Sequence, residues 1–285
     1  MELLPADEVL RAARQALAED MGAAGDVTTL ATVPAETRAT ARMVAREPLT
    51  VAGLAFVEAT MRELSRAVQV TPRCRDGETA AAGATLIEVS GPARAILAGE
   101  RAALNFVQRL SGIATLTAQF VAAVRGTKAQ ILDTRKTTPG WRVFEKYAVR
   151  CGGGRNHRVG LFDQVLIKDN HLAALREAAP NPIAAAVLRA RLAYPQLQVT
   201  VEVDTLAQAD QALQVGADRI LLDNMPPSLL QEAVNLIQGR AVTEASGGVN
   251  LATVRAIAET GVDCVSVGAL THSARAVDIA LDFVI

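Results

Sequence analysis

Hydrophobic and polar positions follow one pattern in the first part of the chain and another in the rest, and the change falls near residue 112. Short apolar runs at residues 39–44, 68–71 and 85–89 are separated by glycine-containing turns, which is typical of β-strands. Apolar residues at helical spacing occupy positions 54–64, between the first two runs. This half predicts an α+β sandwich.

Helical periodicity dominates the boundary region. A first helix is predicted from the apolar spacing between Val9 and Leu17, and a long one from residue 93 to 124. We expect the long helix to be interrupted at Ser111–Gly112, where we place a domain boundary. The predicted domains are 1–112 and 113–272, with 273–285 packing back on the first.

The second half repeats a strand–helix unit. Apolar segments recur at intervals of roughly 20 to 35 residues, with helical patterns between them, which favours a parallel sheet. Six are strong, fewer than the eight of a closed barrel, so the expected fold is α/β with an incomplete, TIM-like parallel barrel. These segments cover residues 130–133, 164–168, 199–204, 219–223, 241–245 and 263–267.

Positive side chains follow two of these strands. Functional groups of a barrel gather at the C-terminal ends of its strands, so we expect four cations and a histidine to converge: Arg135, Lys136, Arg158, Lys168 and His157. Like charges in a partly buried site repel one another unless an anion binds between them. The alternatives are a solvated basic loop and, for His157, a structural hydrogen-bonding role.

Two acids and two glycine-rich turns end the other strands. Glu202 and Asp223 offer the oxygen ligands that Mg²⁺ prefers, or they pair with Lys168 or Lys136. The last two strands lead into Ser246-Gly247-Gly248 and into Gly268. Glycine lets backbone N–H groups approach a phosphate, and a following helix N-terminus would help to bind it.

Composition narrows the function further. The net charge of −1 argues against binding a nucleic-acid backbone. Three widely spaced cysteines indicate neither a disulfide framework nor a zinc site, so a cytoplasmic location is expected. The first residues do not have the pattern of a secretory signal, and the uncharged run at 110–124 is too short to cross a membrane.

The sequence contains no phosphate-loop, metalloprotease or nucleophile-elbow motif, which counts against kinases and hydrolases.

Several other residues have ordinary structural interpretations. Arg101 has the spacing of an exposed helix residue, and His171 and His272 are expected to be structural or to support other site residues. The aromatic residues Trp141, Phe144 and Tyr147 are predicted to be core.

Ordered motifs along nearly the whole chain resemble the quinolinate phosphoribosyltransferase family. They are EDMGAAGDVTT (19–29), ERAALNFVQRLSGIAT (100–115), DTRKTTPG (133–140), KYAVRCGGGRNHR (146–158), LIKDNH (166–171), VEVDTLAQ (201–208), ILLDNM (220–225), EASGG (244–248) and VDCVSVGALTHSARAVDIALD (262–282). The resemblance implies transfer of phosphoribose from phosphoribosyl pyrophosphate to quinolinate. The products would be nicotinate mononucleotide, pyrophosphate and CO2, with Mg²⁺ as cofactor, in NAD biosynthesis.

The resemblance also implies roles for residues and an assembly. Quinolinate would contact Arg135, His157, Arg158 and Lys168, with Arg101 supplied by a partner subunit of a dimer or hexamer. Lys136 would meet the pyrophosphate, and Ser246, Gly247, Gly248 and Gly268 the 5′-phosphate. Glu202 and Asp223 would serve the ribose and the metal-bound pyrophosphate. The implied catalytic set is Arg101, Lys136, Lys168, Glu202 and Asp223.

Three alternatives stay open at this stage. One is a related phosphoribosyltransferase that uses nicotinate without decarboxylation. Another is a non-catalytic barrel that binds a phosphorylated metabolite, although the two retained acids speak against it. The third is an aldolase in which Lys168 forms a Schiff base.

Overall fold

The computed structural model describes residues 4–284, and the chain divides into two compact units. Unit 1 contains Met1–Ala118, Thr138–Gly153 and Ser273–Ile285, and unit 2 contains Gln119–Thr137 and Gly154–His272. The elements up to the long helix are α1 (Ala6–Met21), α2 (Val27–Thr32), β1 (Arg38–Ala45), β2 (Leu49–Thr50), α3 (Leu54–Leu64), β3 (Gln69–Pro72), β4 (Thr79–Ala80), β5 (Thr85–Pro92) and α4 (Ala93–Ala123). The later elements are β6 (Gln130–Leu132), α5 (Arg142–Cys151), β7 (Val165–Ile167), α6 (Asp169–Ala174), α7 (Pro182–Ala193), β8 (Val199–Val203), α8 (Leu206–Gln214), β9 (Arg219–Asp223), α9 (Pro227–Ile237), β10 (Val242–Ser246), α10 (Val254–Glu259), β11 (Cys264–Ser266), α11 (Ala269–His272) and β12 (Ile279–Phe283).

The main sheet of unit 1 is antiparallel, with the order β12-β1-β5-β3. Met43 of β1 pairs with Leu281 of β12 on one side and with Ile87 of β5 on the other. These three residues belong to one buried apolar cluster, to which α3 contributes Met61 and α4 contributes Ile96. Helices packed on an antiparallel sheet match the predicted α+β class, and the C-terminal segment supplies the edge strand β12.

Helix α4 runs without a break through Ser111–Gly112, so the predicted interruption there is wrong. A Cβ on Gly112 would lie 1.9 Å from the carbonyl oxygen of Arg275, in the C-terminal segment of unit 1. The Ser111 hydroxyl accepts a hydrogen bond from the Ala52 N–H at 3.0 Å and donates to the Ala52 oxygen at 3.2 Å. The two small residues allow close packing rather than ending the helix.

Helix α5 belongs to unit 1, which differs from the predicted boundary that placed it in the barrel. Its aromatic residues explain the difference. Phe144 meets Phe56 edge to face at 5.1 Å between centroids, and Trp141 stacks on Phe106 at 5.0 Å. Phe144 is buried, as the sequence predicts for a core residue.

The sheet of unit 2 is parallel throughout, with the order β6-β11-β10-β9-β8-β7 for the residues that the structure describes. All of the predicted strands are present, and the incomplete parallel α/β architecture is confirmed. Their in-register pairs include Ser246 with Asp223 and Ser266 with Leu132, so the C-terminal strand ends share one edge.

No helix among residues 4–284 combines the length and apolar character needed to cross a membrane. The cysteines Cys74, Cys151 and Cys264 form no disulfides with one another. Burial raises the pKa of Cys151 to about 12 and that of Cys264 to about 11, so neither thiol supplies a thiolate nucleophile near neutral pH.

Candidate active site

A cavity of about 750 Å³ opens at the C-terminal edge of the unit 2 sheet. Every residue of the predicted site except Arg101 lines it. The lining residues are Thr134, Arg135, Lys136, His157, Arg158, Leu166, Lys168, Glu202, Leu221, Asp223, Asn224, Glu244, Ser246, Gly247, Gly248, Val249, Ser266, Gly268, Ala269 and His272. The position is the one at which barrel proteins bind their ligands.

The buried carboxylate of Asp133 fixes the cationic part of the pocket. It accepts a hydrogen bond from the backbone N–H of His157 at 2.8 Å and another from Asn156 Nδ2 at 2.6 Å. Backbone bonds of Arg155 to Ile131 and Asp133 join the same loop to β6. The residues after β6 and the loop before β7 are therefore held together, although the two strands lie at opposite ends of the sheet order.

Two guanidinium groups meet in this corner. Burial, together with the charge of Arg135, lowers the pKa of Arg158 from its ordinary value. Arg158 Nη1 donates to the backbone oxygen of Gln164 at 3.2 Å, which holds the side chain in place. Crowded, partly buried cations gain most from an anionic ligand, and planar guanidinium groups bind carboxylates well.

Glu244 is fully buried beneath the pocket and is bound by groups from three directions. Arg219 Nη1 lies 2.7 Å from Glu244 Oε2, His157 Nε2 lies 3.3 Å from Oε1, and the Ser266 hydroxyl donates to Oε1. Burial opposes ionisation, but the contacts with His157, Arg219 and Ser266 outweigh it and lower the pKa of Glu244. The buried charge is thus compensated, as a buried carboxylate must be.

This network also orients the imidazole of His157. Its Nδ1 accepts the backbone N–H of Arg158 at 2.7 Å, so in the neutral ring the proton is on Nε2, facing Glu244. His157 therefore makes the structural contacts that one interpretation of the sequence proposed, and its ring also lines the pocket.

Acidic groups at the ends of β8 and β9 line the middle of the site. Glu202 Oε2 lies 3.5 Å from Lys168 Nζ, so the pairing foreseen as one alternative for this acid is present. Burial raises the pKa of Glu202 even though Lys168 acts in the opposite sense, and the charge of Asp223 adds to the increase. Asp223 accepts a hydrogen bond from Asn224 Nδ2 at 2.7 Å.

Glycines form the remaining wall of the pocket. Gly247 and Gly248 have positive φ angles of 96° and 60°, which side chains rarely adopt, so their backbone can turn towards the pocket. Helix α10 begins only at Val254, so the loop amides, rather than that helix N-terminus, would meet a phosphate here. Gly268 lies directly before α11, with the His272 ring and the Lys136 stem near its Cα.

Nine residues that line the pocket were not among the predicted site residues, and three of them, Glu244, Asn224 and His272, carry polar side chains that bear on the site. Glu244 and Asn224 lie within the strand-end motifs EASGG and ILLDNM, and both line the cavity. His272 was expected to have a structural or supporting role, yet its ring also lines the cavity. The available signal was position, since each follows or ends a predicted element at the functional edge of the sheet.

The donor set fits Mg²⁺ only if a substrate completes the coordination. Within the described residues, no cluster of three or more His, Cys, Asp or Glu side chains could enclose a metal. Glu202 and Asp223 are two carboxylates in an open cavity, and Mg²⁺ commonly uses one or two carboxylates together with waters and phosphate oxygens.

Arg101 lies elsewhere in the chain. It is exposed on α4 in unit 1, whereas the residues that line the cavity all belong to unit 2. Only the family resemblance gives Arg101 a role in the site.

Comparisons with known proteins agree over most of the chain. Residues 26–111 match the N-terminal domain of quinolinate phosphoribosyl transferase, and residues 113–282 match its C-terminal domain. The nicotinate-nucleotide pyrophosphorylase [carboxylating] of Mycobacterium leprae is 47% identical over 94% of this chain and 95% of its own length. A probable enzyme of the same name from Bacillus subtilis is 42% identical over 93% of this chain and 89% of its own. The solved nicotinate-nucleotide pyrophosphorylase of Francisella tularensis superposes with a TM-score of 0.93, at 40% identity, covering 99% of this chain and 98% of the other.

Proposed function

Because this chain belongs to the quinolinate phosphoribosyltransferase family, we propose that its pocket joins quinolinate to phosphoribosyl pyrophosphate and releases CO2. It is a phosphoribosyltransferase of NAD biosynthesis. The observation that carries the detailed reaction is the division of one cavity into cations, acids and glycine loops. This arrangement suits a dicarboxylate at one end and a phosphorylated sugar at the other.

The cations would bind and orient the dicarboxylate. Arg135, Arg158 and Lys168 lie where charge-assisted hydrogen bonds to carboxylates can form, and His157 is held beside them by Glu244. Lys136 would contact the pyrophosphate. The Ser246–Gly248 loop and Gly268 would bind the 5′-phosphate through backbone N–H groups.

The reaction then needs placement rather than a covalent nucleophile. The pyridine nitrogen forms a bond to the anomeric carbon while the bond from that carbon to pyrophosphate breaks, and the electron pair leaves with pyrophosphate. Carboxylates such as Glu202 and Asp223 would face the positive charge that develops on the ribose. The bond from the neighbouring ring carbon to the departing CO2 then breaks, the electron pair stays on that carbon, where the adjacent cationic nitrogen stabilises it, and the carbon takes up a proton. Orientation of the two substrates supplies much of the rate enhancement.

Mg²⁺, held by Glu202 and Asp223 directly or through water, would neutralise charge on the departing pyrophosphate. The assembly is proposed on the family resemblance: a homo-oligomer, dimer or hexamer, in which Arg101 of one subunit completes the quinolinate pocket of another. The reducing cytoplasm is the proposed location, in keeping with three cysteines that form no disulfides with one another.

The test is an assay of purified protein with quinolinate, phosphoribosyl pyrophosphate and Mg²⁺. We expect CO2 and pyrophosphate to be released in equal amounts, together with nicotinate mononucleotide. Nicotinate in place of quinolinate is the matched control, since it lacks the carboxylate that is lost. Turnover of nicotinate without turnover of quinolinate would reject the decarboxylating reaction. Binding of both substrates without any product would reject catalysis.

A further inference from the structure

Asn224, which follows β9, has an unusual backbone conformation. Its φ angle is +53°, and among the non-glycine residues that the structure describes only Gln238, at +52°, shares a positive φ. Asparagine adopts this left-handed conformation more readily than most residues. The resulting turn directs the Asn224 N–H to the carbonyl oxygen of Ser246, 2.8 Å away, and so joins the ends of β9 and β10.

The side chain of Asn224 lies between two parts of the pocket. Its Nδ2 donates to Asp223 Oδ2 at 2.7 Å. An ionised carboxylate only accepts hydrogen bonds, so the amide nitrogen must face Asp223 and Oδ1 must point away from it. Oδ1 then borders Gly247, where a Cβ would lie only 2.1 Å from it and 2.6 Å from Asn224 Cγ.

We propose that Asn224 is a positioning residue that aligns the Asp223 carboxylate with the Ser246–Gly248 loop for binding phosphoribosyl pyrophosphate. One amide restrains both features, because it is bonded to the carboxylate and packed against the glycine of the loop. The inference rests on the proposed function, which assigns Asp223 and this loop to the phosphoribosyl substrate. It predicts that loss of the amide affects that substrate and leaves the dicarboxylate unaffected.

The competing explanation is that asparagine serves only the left-handed turn. Asn224→Gly separates the two, since glycine adopts a positive φ without cost and lacks the amide. Gln238→Gly is the matched control: it makes the same backbone change at an exposed residue that ends α9 and does not line the pocket. Asn224 is itself exposed, so the variant is expected to fold.

Steady-state kinetics with both substrates and calorimetric titration with phosphoribosyl pyrophosphate and Mg²⁺ provide the measurements. In Asn224→Gly we expect KM and Kd for phosphoribosyl pyrophosphate to rise about tenfold, the scale of losing one hydrogen bond to a charged group. KM for quinolinate should stay within about twofold of wild type. Gln238→Gly should match wild type in every measurement.

An Asn224→Gly protein with wild-type constants would show that only the turn matters and would overturn the proposal. An equal rise in both KM values, or the same change in Gln238→Gly, would also overturn it, because the effect would then be general. If the wild type binds phosphoribosyl pyrophosphate but makes no product, the proposed function fails, and the tenfold change in Kd still decides the role of Asn224. If the wild type binds none, both are rejected.

Discussion

Arg158 is the pocket cation whose charge depends most clearly on an anionic ligand. Its guanidinium group is partly buried beside Arg135, which makes its charged form costly without an anion. We predict that Arg158→Ala weakens quinolinate binding by about 2–4 kcal/mol, the range for removing one partner of a buried, hydrogen-bonded charge pair. Calorimetric titration with quinolinate measures this.

Arg155 provides the matched control for that substitution. It lies in the same loop and carries the same charge, but its side chain is exposed and does not line the cavity. Arg155→Ala should leave the affinity for quinolinate near the wild-type value. Equal losses in the two variants would mean that the loop attracts the ligand by net charge alone.

Glu202 lines the cavity, and the burial of its carboxylate lowers the stability of the folded protein when the group is ionised. Burial raises its pKa above the ordinary 4.5, so between that value and its folded-state pKa the native protein binds more protons than the unfolded chain. Stability is therefore lost as pH rises through this window. We predict that Glu202→Gln, which cannot ionise, is more stable than wild type at pH 7 by less than about 1 kcal/mol, because solvent screens a partly exposed group.

Denaturant unfolding at pH 7 and at about pH 4 tests the sign of this effect. The advantage of Glu202→Gln should shrink at the lower pH, where the wild-type carboxyl is also protonated, while kcat falls at every pH. Glu177→Gln, at an exposed carboxylate outside the cavity, is the control and should show neither change. A gain in stability that persists unchanged at low pH would contradict the assigned cause.

The site residues that could be predicted from the sequence are charged residues at the strand ends of the strand–helix repeat. A cation or acid directly after a buried strand, as at Lys168 or Asp223, marks the functional edge without knowledge of its neighbours. Glu244 and Asn224 act through contacts with residues distant in sequence or in a neighbouring loop. Spacing along one chain carries no information about such partners.

At the scale of whole elements, helix α4 shows how a glycine can be misinterpreted. Glycine in a helix interior costs roughly 0.5–1 kcal/mol relative to alanine, so the sequence predicts an interruption of the helix at Gly112. The structure gives the compensating reason, which is the approach of the Arg275 carbonyl to its Cα. The six strands of unit 2 were predictable because each is short, apolar and bounded by turns. Helix α5 lies after the predicted boundary in sequence but belongs to unit 1 in the structure, because its aromatic partners are remote in sequence.

Two glycines of α4 provide a direct test. A methyl group at Gly112 would meet backbone at 1.9 Å, whereas at Gly99 it would meet the flexible side chains of Leu64 and Met61 at 3.0 and 3.1 Å. We predict that Gly112→Ala destabilises the protein by about 2–4 kcal/mol, because the gain in helix propensity is smaller than the cost of overpacking. Gly99→Ala should change the free energy of unfolding by less than about 1 kcal/mol. Denaturant midpoints that rise in both variants would show that propensity dominates at both sites.

For the molecule as a whole, the near-neutral net charge conceals a local concentration of cations. Unit 2 contains every residue that lines the cavity, while unit 1 carries Arg101 on an exposed face of α4. The matched N-terminal and C-terminal family domains together span most of the chain, so the family match includes residues of both units. The proposed shared site gives Arg101 a role that spacing does not predict.

Subunit mixing tests that role at the scale of the assembly. If Arg101 acts in the pocket of a partner, Arg101→Ala and Lys136→Ala each inactivate the protein alone, because every site in either assembly lacks one group. A mixed dimer places both defects in one site and leaves the other intact, so randomly reassorted dimers from an equal mixture should recover about a quarter of wild-type activity. Native mass spectrometry of differently tagged chains verifies that subunits have exchanged, and a mixture of Lys136→Ala with Lys168→Ala, both in unit 2, is the control that should stay inactive. Exchanged subunits without recovered activity would place Arg101 in its own subunit's site or outside the reaction, since a site built from one chain cannot be repaired by mixing.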